Sequence, residues 1–321
     1  MIQGLVVGTG MGIIFGLSDM VFNHRIFSDL SFRLLILLRA ISHLGLTLLL
    51  LTLTFNLAQN FGRRGSFDPL MLDFMNTGVL SKTSLVILIY TGVISILFGL
   101  FRQINGMFGP GMMKNLLTGK YHKPQEEARI FMFLDLKSST TYAERLGHKL
   151  YSELIQDCFS DLTEAIKQQK AQVYQYVGDE AVLTWPLKEG LEDGHCLKAY
   201  FTFEQSIQDR ASYYFNKYDL VPVFKAGVNC GWVMTAEVGV VKKEIAYHSD
   251  VLNTAARIQG RCNELGHRLL ISEFLFDALP QLDEYIFKEE GIVPLKGKKK
   301  KVVLYSVEPK VPIVHQFEFS E

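Results

Sequence analysis

The chain has 321 residues, 48% hydrophobic and 21% charged, with 33 Lys+Arg against 33 Asp+Glu. That length holds one large domain or two ordinary ones, and the composition excludes a disordered polymer, a collagen-like repeat and a disulfide-stapled miniprotein. A charge balance of zero excludes a general nucleic-acid coat, which needs basic excess, so no nucleic-acid partner is expected.

The average conceals a split. Residues 1–105 carry seven of the 33 Lys+Arg and four of the 33 Asp+Glu, about 10% charged against about 25% in the rest. A membrane segment joined to a water-soluble domain accounts for that difference. Three apolar stretches are long enough to span hydrocarbon, at about 2–22, 34–58 and 84–101, because a helical crossing takes about 20 residues. The first has no basic n-region and no small-residue cleavage site, so it reads as a span and not as a cleaved signal. Residues 67–80, with Asp68, Pro69 and Asp73, read as an interfacial loop.

Arg102, Lys114, Lys120, Lys123 and Arg129 follow the third span. By the positive-inside rule the large C-terminal part is then cytoplasmic at a cell (inner) membrane, with Arg63 and Arg64 the exception. Arg39 and His43 share one face of the second span. They read as a snorkelling Arg and a His bonded to a neighbouring helix, with a buried sensor pair as the alternative. Cys158, Cys196, Cys230 and Cys262 lack metal-ligand spacing and read as reduced and buried.

Residues 106–128 hold four Gly and two Pro and read as a linker. Beyond it, an apolar run at 130–134 of strand length ends at Asp135. Thr141 and Glu144 form a capping box for a helix continuing through Ile166. Strands at 173–177 and 181–185 flank Gly178-Asp179-Glu180, a hairpin signal. A polar, aromatic helix covers about 191–218, and 224–239 reads as strand–turn–strand. Asp250 caps a helix through about Leu265, and strands near 269–271, 285–288 and 302–307 complete the domain. This order predicts an α+β fold, an antiparallel sheet covered by helices on one face.

Asp135 ends a strand before a helix start, and Asp179 occupies a hairpin tip. If the strands are adjacent, the two carboxylates converge, and hard oxygen ligands there suit two Mg²⁺ or Mn²⁺ ions for in-line phosphoryl or nucleotidyl transfer. The backbone N–H groups of Lys137, Ser138, Ser139 and Thr140 would cradle a polyphosphate at the helix start. Asn253 and Arg257 lie four apart on one helix face, where a guanidinium can neutralise charge on a phosphate. Taken singly, each of these is an ordinary turn former or a solvated polar stripe.

Together, FMFLDLKSST, the YVGDE hairpin, AGVNCGWVMTAEVG, the DVLNTAAR helix and PLKGK, in this order over about 128–308, resemble the catalytic domain of class III nucleotidyl (adenylyl/guanylyl) cyclases of the membrane-anchored bacterial type. The resemblance implies a ferredoxin-like antiparallel-sheet catalytic domain at 129–308, with 309–321 as a tail. It implies two metal ions per site on Asp135, Asp179 and the Leu136 carbonyl. Asn253 would orient the ribose, Arg257 would stabilise the pentavalent α-phosphate, and Lys296 would contact the triphosphate. It also implies a homodimer in which one chain supplies the metals and the other supplies Asn253 and Arg257. The substrate is a nucleoside triphosphate, and the products are a 3′,5′-cyclic nucleotide and pyrophosphate.

The base-reading positions depart from the family pattern. Gln175 stands where adenylyl cyclases place a Lys, and Ala246 stands where an Asp or Thr is usual. A Gln amide can donate or accept and so serves adenine, guanine or a pyrimidine, whereas Ala does neither. ATP ranks ahead of GTP and a pyrimidine nucleotide by prevalence and not by these side chains. A catalytically silent, membrane-bound regulatory module is the alternative from another class. Tyr174, Tyr176 and Trp185 read as core or dimer surface, Lys298–Lys301 as a solvated run, and His248 as a polar surface residue.

Overall fold

Apolar sequence without proline folds as three helices at the start of the chain, α1 (Ile2–Phe22), α2 (Phe32–Phe61) and α3 (Lys82–Phe108). The computed structural model describes residues 2–22, 32–61, 82–108, 115, 118–293 and 302–313. The chain divides into two units, Met1–Pro110 and Gly111–Glu321. The loop expected at 67–80, residues 109–114 and 116–117 of the expected linker, Arg63, Arg64, Lys296 and the Lys298–Lys301 run lie outside the described residues.

Among the described residues two helices carry segments long and apolar enough to cross a membrane, Arg33–Leu53 and Ser84–Arg102. Their outward side chains, such as Ile41, Leu49, Leu85 and Ile89, are exposed, while polar groups turn inward. His43 Nδ1 lies 3.0 Å from Ser95 Oγ on α3, and its ring stacks on Phe15 of α1 with centroids 4.2 Å apart. That is the neighbouring-helix bond expected of it.

In the second unit the elements are β1 (Gln125–Leu136), α4 (Ser139–Gln168), β2 (Gln172–Val177), β3 (Glu180–Pro186), α5 (Leu187–Leu191), α6 (His195–Asp209), α7 (Ala211–Tyr218) and β4 (Phe224–Val238). They continue with β5 (Glu244–His248), α8 (Asp250–Gly260), α9 (Cys262–Leu265), β6 (Leu269–Ser272), α10 (Glu273–Ala278), β7 (Tyr285–Val293) and β8 (Val302–Pro309). The eight strands form one sheet in the order β2-β3-β1-β4-β6-β8-β7, with β5 pairing β4.

The central strand β1 is buried on both sides, which explains why its apolar run does not alternate with polar residues. Ile130, Met132 and Leu134 enter a core with Leu154, Leu162, Leu197, Phe203 and Tyr214 of the helices α4, α6 and α7. Phe131 and Phe133 point the other way, to Ala255 on α8. On the first face, Asp161 of α4 is fully buried but satisfied, 2.6 Å from Arg210 Nη1 and 2.6 Å from the Tyr214 hydroxyl. Trp185 is buried and donates to the Gln169 carbonyl, so it belongs to the core. All four cysteines are free and buried.

Several sequence expectations change. The sheet is mixed and not antiparallel, because β4 and β6 run parallel, Ala226 opposite Leu269. Helices cover both faces and not one. The expected strand–turn–strand at 224–239 is one strand of 15 residues. Its glycines are not turn residues. A Cβ on Gly227 would meet Gln259 N at 2.2 Å and Ala255 O at 2.6 Å, and one on Gly231 would meet Val251 Cγ2 at 2.8 Å. They let α8 lie directly on the strand. The expected capping box is displaced: α4 begins at Ser139, so Thr141 and Glu144 lie within it, and Ser138 turns the chain in the left-handed region at φ 59° without a side-chain cap bond. The α8 cap is Ser249, whose hydroxyl accepts from Val251 N, and not Asp250. The polar helix expected at 191–218 is broken into α6 and α7 with a short 3₁₀ turn ahead of them.

The close seat of α8 yields a test. Gly227→Ala forces backbone apart and is expected to cost about 3 kcal/mol, the upper range for overpacking. Gly260→Ala, with nothing within 4 Å of its added Cβ, is the control. Both tryptophans, Trp185 and Trp232, lie in the second unit, so thermal unfolding followed by tryptophan fluorescence reads this unit alone. A melting temperature unchanged by Gly227→Ala would refute the packing account.

Candidate active site

The strand register brings the two aspartates to one end of the sheet. Asp135, near the end of β1, is opposite Glu180 on β3 and opposite Lys225 on β4. Asp179 immediately precedes Glu180, in the turn that joins β2 to β3. Gly178 takes a φ of 63°, a conformation glycine adopts without steric cost, and so reverses the chain within two residues. The odd-numbered residues of β1 face α8, as Phe131 and Phe133 show. Asp135 shares that parity, and Gln259 Nε2 of α8 donates to its Oδ2 at 2.9 Å.

The Asp135 carboxyl is pushed above the usual carboxylate range, first by burial and also by the charge of Asp179, while Lys225 and Gln259 oppose the shift. Glu180 is raised by burial and by both aspartates. Three carboxylates thus crowd one strand end, and among the described residues one ammonium pairs with them, with Lys225 Nζ 3.2 Å from Asp135 Oδ2.

This donor set fits a divalent metal. Asp179 Oδ2 is buried without a hydrogen-bond partner among the described residues. Both partners of Asp135 are on Oδ2, which leaves Oδ1 without one among the described residues. A buried carboxylate oxygen without a partner is costly unless a cation or a donor meets it. No group of three His, Cys, Asp or Glu side chains forms a metal-ligand set among the described residues. A hard ion would therefore rest on two carboxylates and draw its remaining oxygens from elsewhere, the habit of Mg²⁺ bound with substrate phosphates.

Of the four N–H groups expected to cradle a polyphosphate, one is already engaged. The Lys137 N–H donates to the Val223 carbonyl at 2.8 Å, so it is taken. Ser138, Ser139 and Thr140 remain at the start of α4, a helix whose first turn carries no acidic residue and whose cap makes no side-chain bond. Its leading N–H groups are left for an anion.

Asn253 and Arg257 are on α8 as expected, but on the face turned away from Asp135. Thr254, Ala255, Ile258 and Gln259 are the buried residues of this helix. At 100° per residue, Arg257 lies about 200° from Gln259 around the helix. Gln259 reaches Asp135 of its own chain, so Arg257 does not. Neither the Asn253 nor the Arg257 side chain has a hydrogen-bond or ion-pair partner among the described residues.

Gln175 is exposed on β2, just past a register shift after Val173. Ala246 is half-buried on β5, opposite Ala236. Tyr174 and Tyr247 beside them meet edge to face at 5.0 Å over Phe131, a structural cluster and not an open platform. Lys225 and Gln259 were not anticipated. Gln259 left one signal, a polar residue on the stripe of Ala255 and Ile258 that faces the core.

Over residues 121–309 the sequence matches a family described as the adenylate and guanylate cyclase catalytic domain. It is 33% identical over 208 residues to adenylate cyclase 2 of Rhizobium meliloti (strain 1021), which is 64% of this chain and 56% of that protein. The chain thus matches little more than half of the relative's length. Among solved structures, the adenylyl cyclase CyaB from P. aeruginosa superposes with a TM-score of 0.53 at 14% identity, covering 60% of this chain and 99% of that one. A bacterial light-regulated adenylyl cyclase superposes at 0.59 and 16% identity, covering 71% and 67%. These two are likenesses of fold.

The crowded carboxylates set a stability test. The Asp135 carboxyl has a raised pKa, so without metal it holds its proton more tightly in the folded chain than in the unfolded one. Stability then falls as pH rises toward the folded-state pKa and stays reduced above it. Asp179→Asn removes one repelling charge. In chelator at neutral pH it is expected to stabilise the second unit by about 1 kcal/mol, or about 2–4 °C in melting temperature. It is also expected to abolish the stabilisation by Mn²⁺. A melting temperature lowered in chelator, or a retained Mn²⁺ shift, would refute the assignment.

Proposed function

The chain belongs to the adenylate and guanylate cyclase catalytic-domain family, and on that premise we propose that it is a membrane-anchored nucleotidyl cyclase that makes a 3′,5′-cyclic nucleotide and pyrophosphate, with ATP as the favoured substrate. The observation that carries this reading is the meeting of Asp135 and Asp179 at one strand end, with a buried Asp179 oxygen that has no partner among the described residues. ATP is favoured because the relative sharing 33% identity is an adenylate cyclase. Anchoring by three spans is supported by the two span-length helices and the apolar helix α1.

In the reaction the ribose 3′-hydroxyl gives its proton to water, its oxygen forms a bond to the α-phosphorus, the bond from that phosphorus to the bridging oxygen breaks, and pyrophosphate leaves. Asp135, Asp179 and the Leu136 carbonyl would hold two Mg²⁺ or Mn²⁺ ions. Bound there, such ions acidify the 3′-hydroxyl and neutralise charge on the leaving group. The N–H groups of Ser138, Ser139 and Thr140 hold the polyphosphate, and Lys296 is assigned to the same task. Arg257 meets the charge developing on the α-phosphate and Asn253 orients the ribose.

Two chains are needed for this. Arg257 points away from the Asp135 of its own chain, so a homodimer that swaps these groups across its interface completes both sites. Gln175 and Ala246 are the base-reading positions, and GTP or a pyrimidine nucleotide is the alternative substrate because Ala246 carries no polar group.

Full-length protein in lipid nanodiscs, incubated with Mn²⁺ and each of the four nucleoside triphosphates, should give a cyclic product, read by chromatography. Asp135→Ala should abolish it, and Arg257→Ala should lower kcat by about 10²–10³, the loss typical of one transition-state donor. No product from any nucleotide would establish the silent module instead. Co-expressing Asp135→Ala with Arg257→Ala should restore about one quarter of wild-type activity, because half of the dimers are mixed and each has one intact site of two. No restoration would refute the shared site. Gln175→Lys with Ala246→Asp should shift product ratios toward cyclic AMP, and unchanged ratios would remove these positions from base reading.

A further inference from the structure

A glutamine on the packed face of an amphipathic helix needs a reason. Gln259 is 8% exposed, beside Ala255 and Ile258, where an apolar side chain would fill the space without a buried amide. Among the described residues its amide has one partner, Asp135 Oδ2, at 2.9 Å. The seat of that amide is fixed by backbone: at Gly227 the strand and helix touch so closely that Gln259 N lies 2.2 Å from an added Cβ. Two residues earlier on the same strand, Lys225 sends its ammonium to the same oxygen at 3.2 Å. Two donors anchored on β4 and on the helix packed against it thus converge on Oδ2, and Oδ1 is left over.

We propose that Gln259 is the positioning residue of the metal carboxylate. With Lys225 it holds Asp135 by Oδ2, turns Oδ1 toward the metal, and ties that carboxylate to the helix carrying Asn253 and Arg257. The role rests on Asp135 being a metal ligand, as proposed above. A hydrogen bond to an ionised group is stronger than one between neutral groups and is directional, so its loss leaves the carboxylate free to rotate. Metal affinity then falls before catalysis does, and saturating metal recovers the rate.

The test uses the full chain in nanodiscs without nucleotide, with bound Mn²⁺ measured by the loss of the sharp electron paramagnetic resonance signal of the free ion. Gln259→Leu is expected to weaken Mn²⁺ binding roughly tenfold. The Mn²⁺ concentration for half-maximal cyclase activity should rise by the same factor, with kcat at saturating Mn²⁺ within about twofold of wild type. Gln259→Met, of similar length and also without a donor, gives the same readings should the Leu variant misfold in the tryptophan melt. Wild-type Mn²⁺ affinity in a folded variant overturns the proposal. So does a kcat loss that no Mn²⁺ concentration recovers, because that marks a packing role. Asp135→Ala separates the two levels. If it retains Mn²⁺ binding, the metal-site reading itself has failed; if it loses binding while Gln259→Leu does not, only the role of Gln259 has failed.

Discussion

The helix α8 rests on β4 with no side chain between them at Gly227, and the site is arranged around that contact. The Cβ that Gly227 lacks would fall 2.2 Å from Gln259 N and 2.6 Å from Ala255 O. So close a seat fixes both the height and the rotation of the helix, because backbone cannot repack as a side chain does. Asn229 Nδ2 donates to the Val251 carbonyl at 3.0 Å and holds the first turn of the same helix. One face is thereby committed to the sheet and to Asp135, and the opposite face, with Asn253 and Arg257, to whatever lies beyond the chain.

Electrostatics follow from the register. Pairing β1 with both β3 and β4 sets Asp135 opposite Glu180 on one side and Lys225 on the other. The result is a local acidic excess inside a unit whose other buried charges are compensated, as Asp161 is by Arg210 and Tyr214. Burial and like charge both disfavour ionised Asp135, so this end of the sheet is less stable than it could be. Native proteins accept such local costs where a ligand supplies the missing charge. That makes the imbalance a stronger pointer to function than the aspartates themselves, since Asp at strand ends and hairpin tips is commonplace.

The sequence made legible what depends on local chemistry. The apolar run ending at Asp135, the Gly178-Asp179 hairpin and the i, i+4 pair Asn253/Arg257 all appear where the pattern puts them. The glycines of β4 are the exception: Gly227 and Gly231 look like turn formers in sequence, and only the tertiary contact with α8 reveals a close approach instead. The same limit hid the parallel pairing of β4 with β6, which is a matter of chain path and not of composition. Lys225 and Gln259 were illegible because they acquire their role through register. Lys225 is 90 positions from Asp135 and Gln259 is 124, and neither spacing carries meaning until strands β1 and β4 are aligned. Ser138, in a left-handed conformation that non-glycine residues rarely adopt, moved the helix start ahead of the expected capping box.

With Asp135 on one side of α8 and Asn253 and Arg257 on the other, the arrangement proposed for catalysis cannot close within one chain. Within the proposed homodimer a two-fold axis makes the exchange reciprocal, so two sites form together. Activity then depends on association, and association depends on concentration. Confining the chains to a bilayer raises their effective concentration without any new contact between catalytic units. On this argument the apolar helices do more than fix an address: in the proposed enzyme they set how often two half-sites meet, and any change in the way they associate becomes a change in rate.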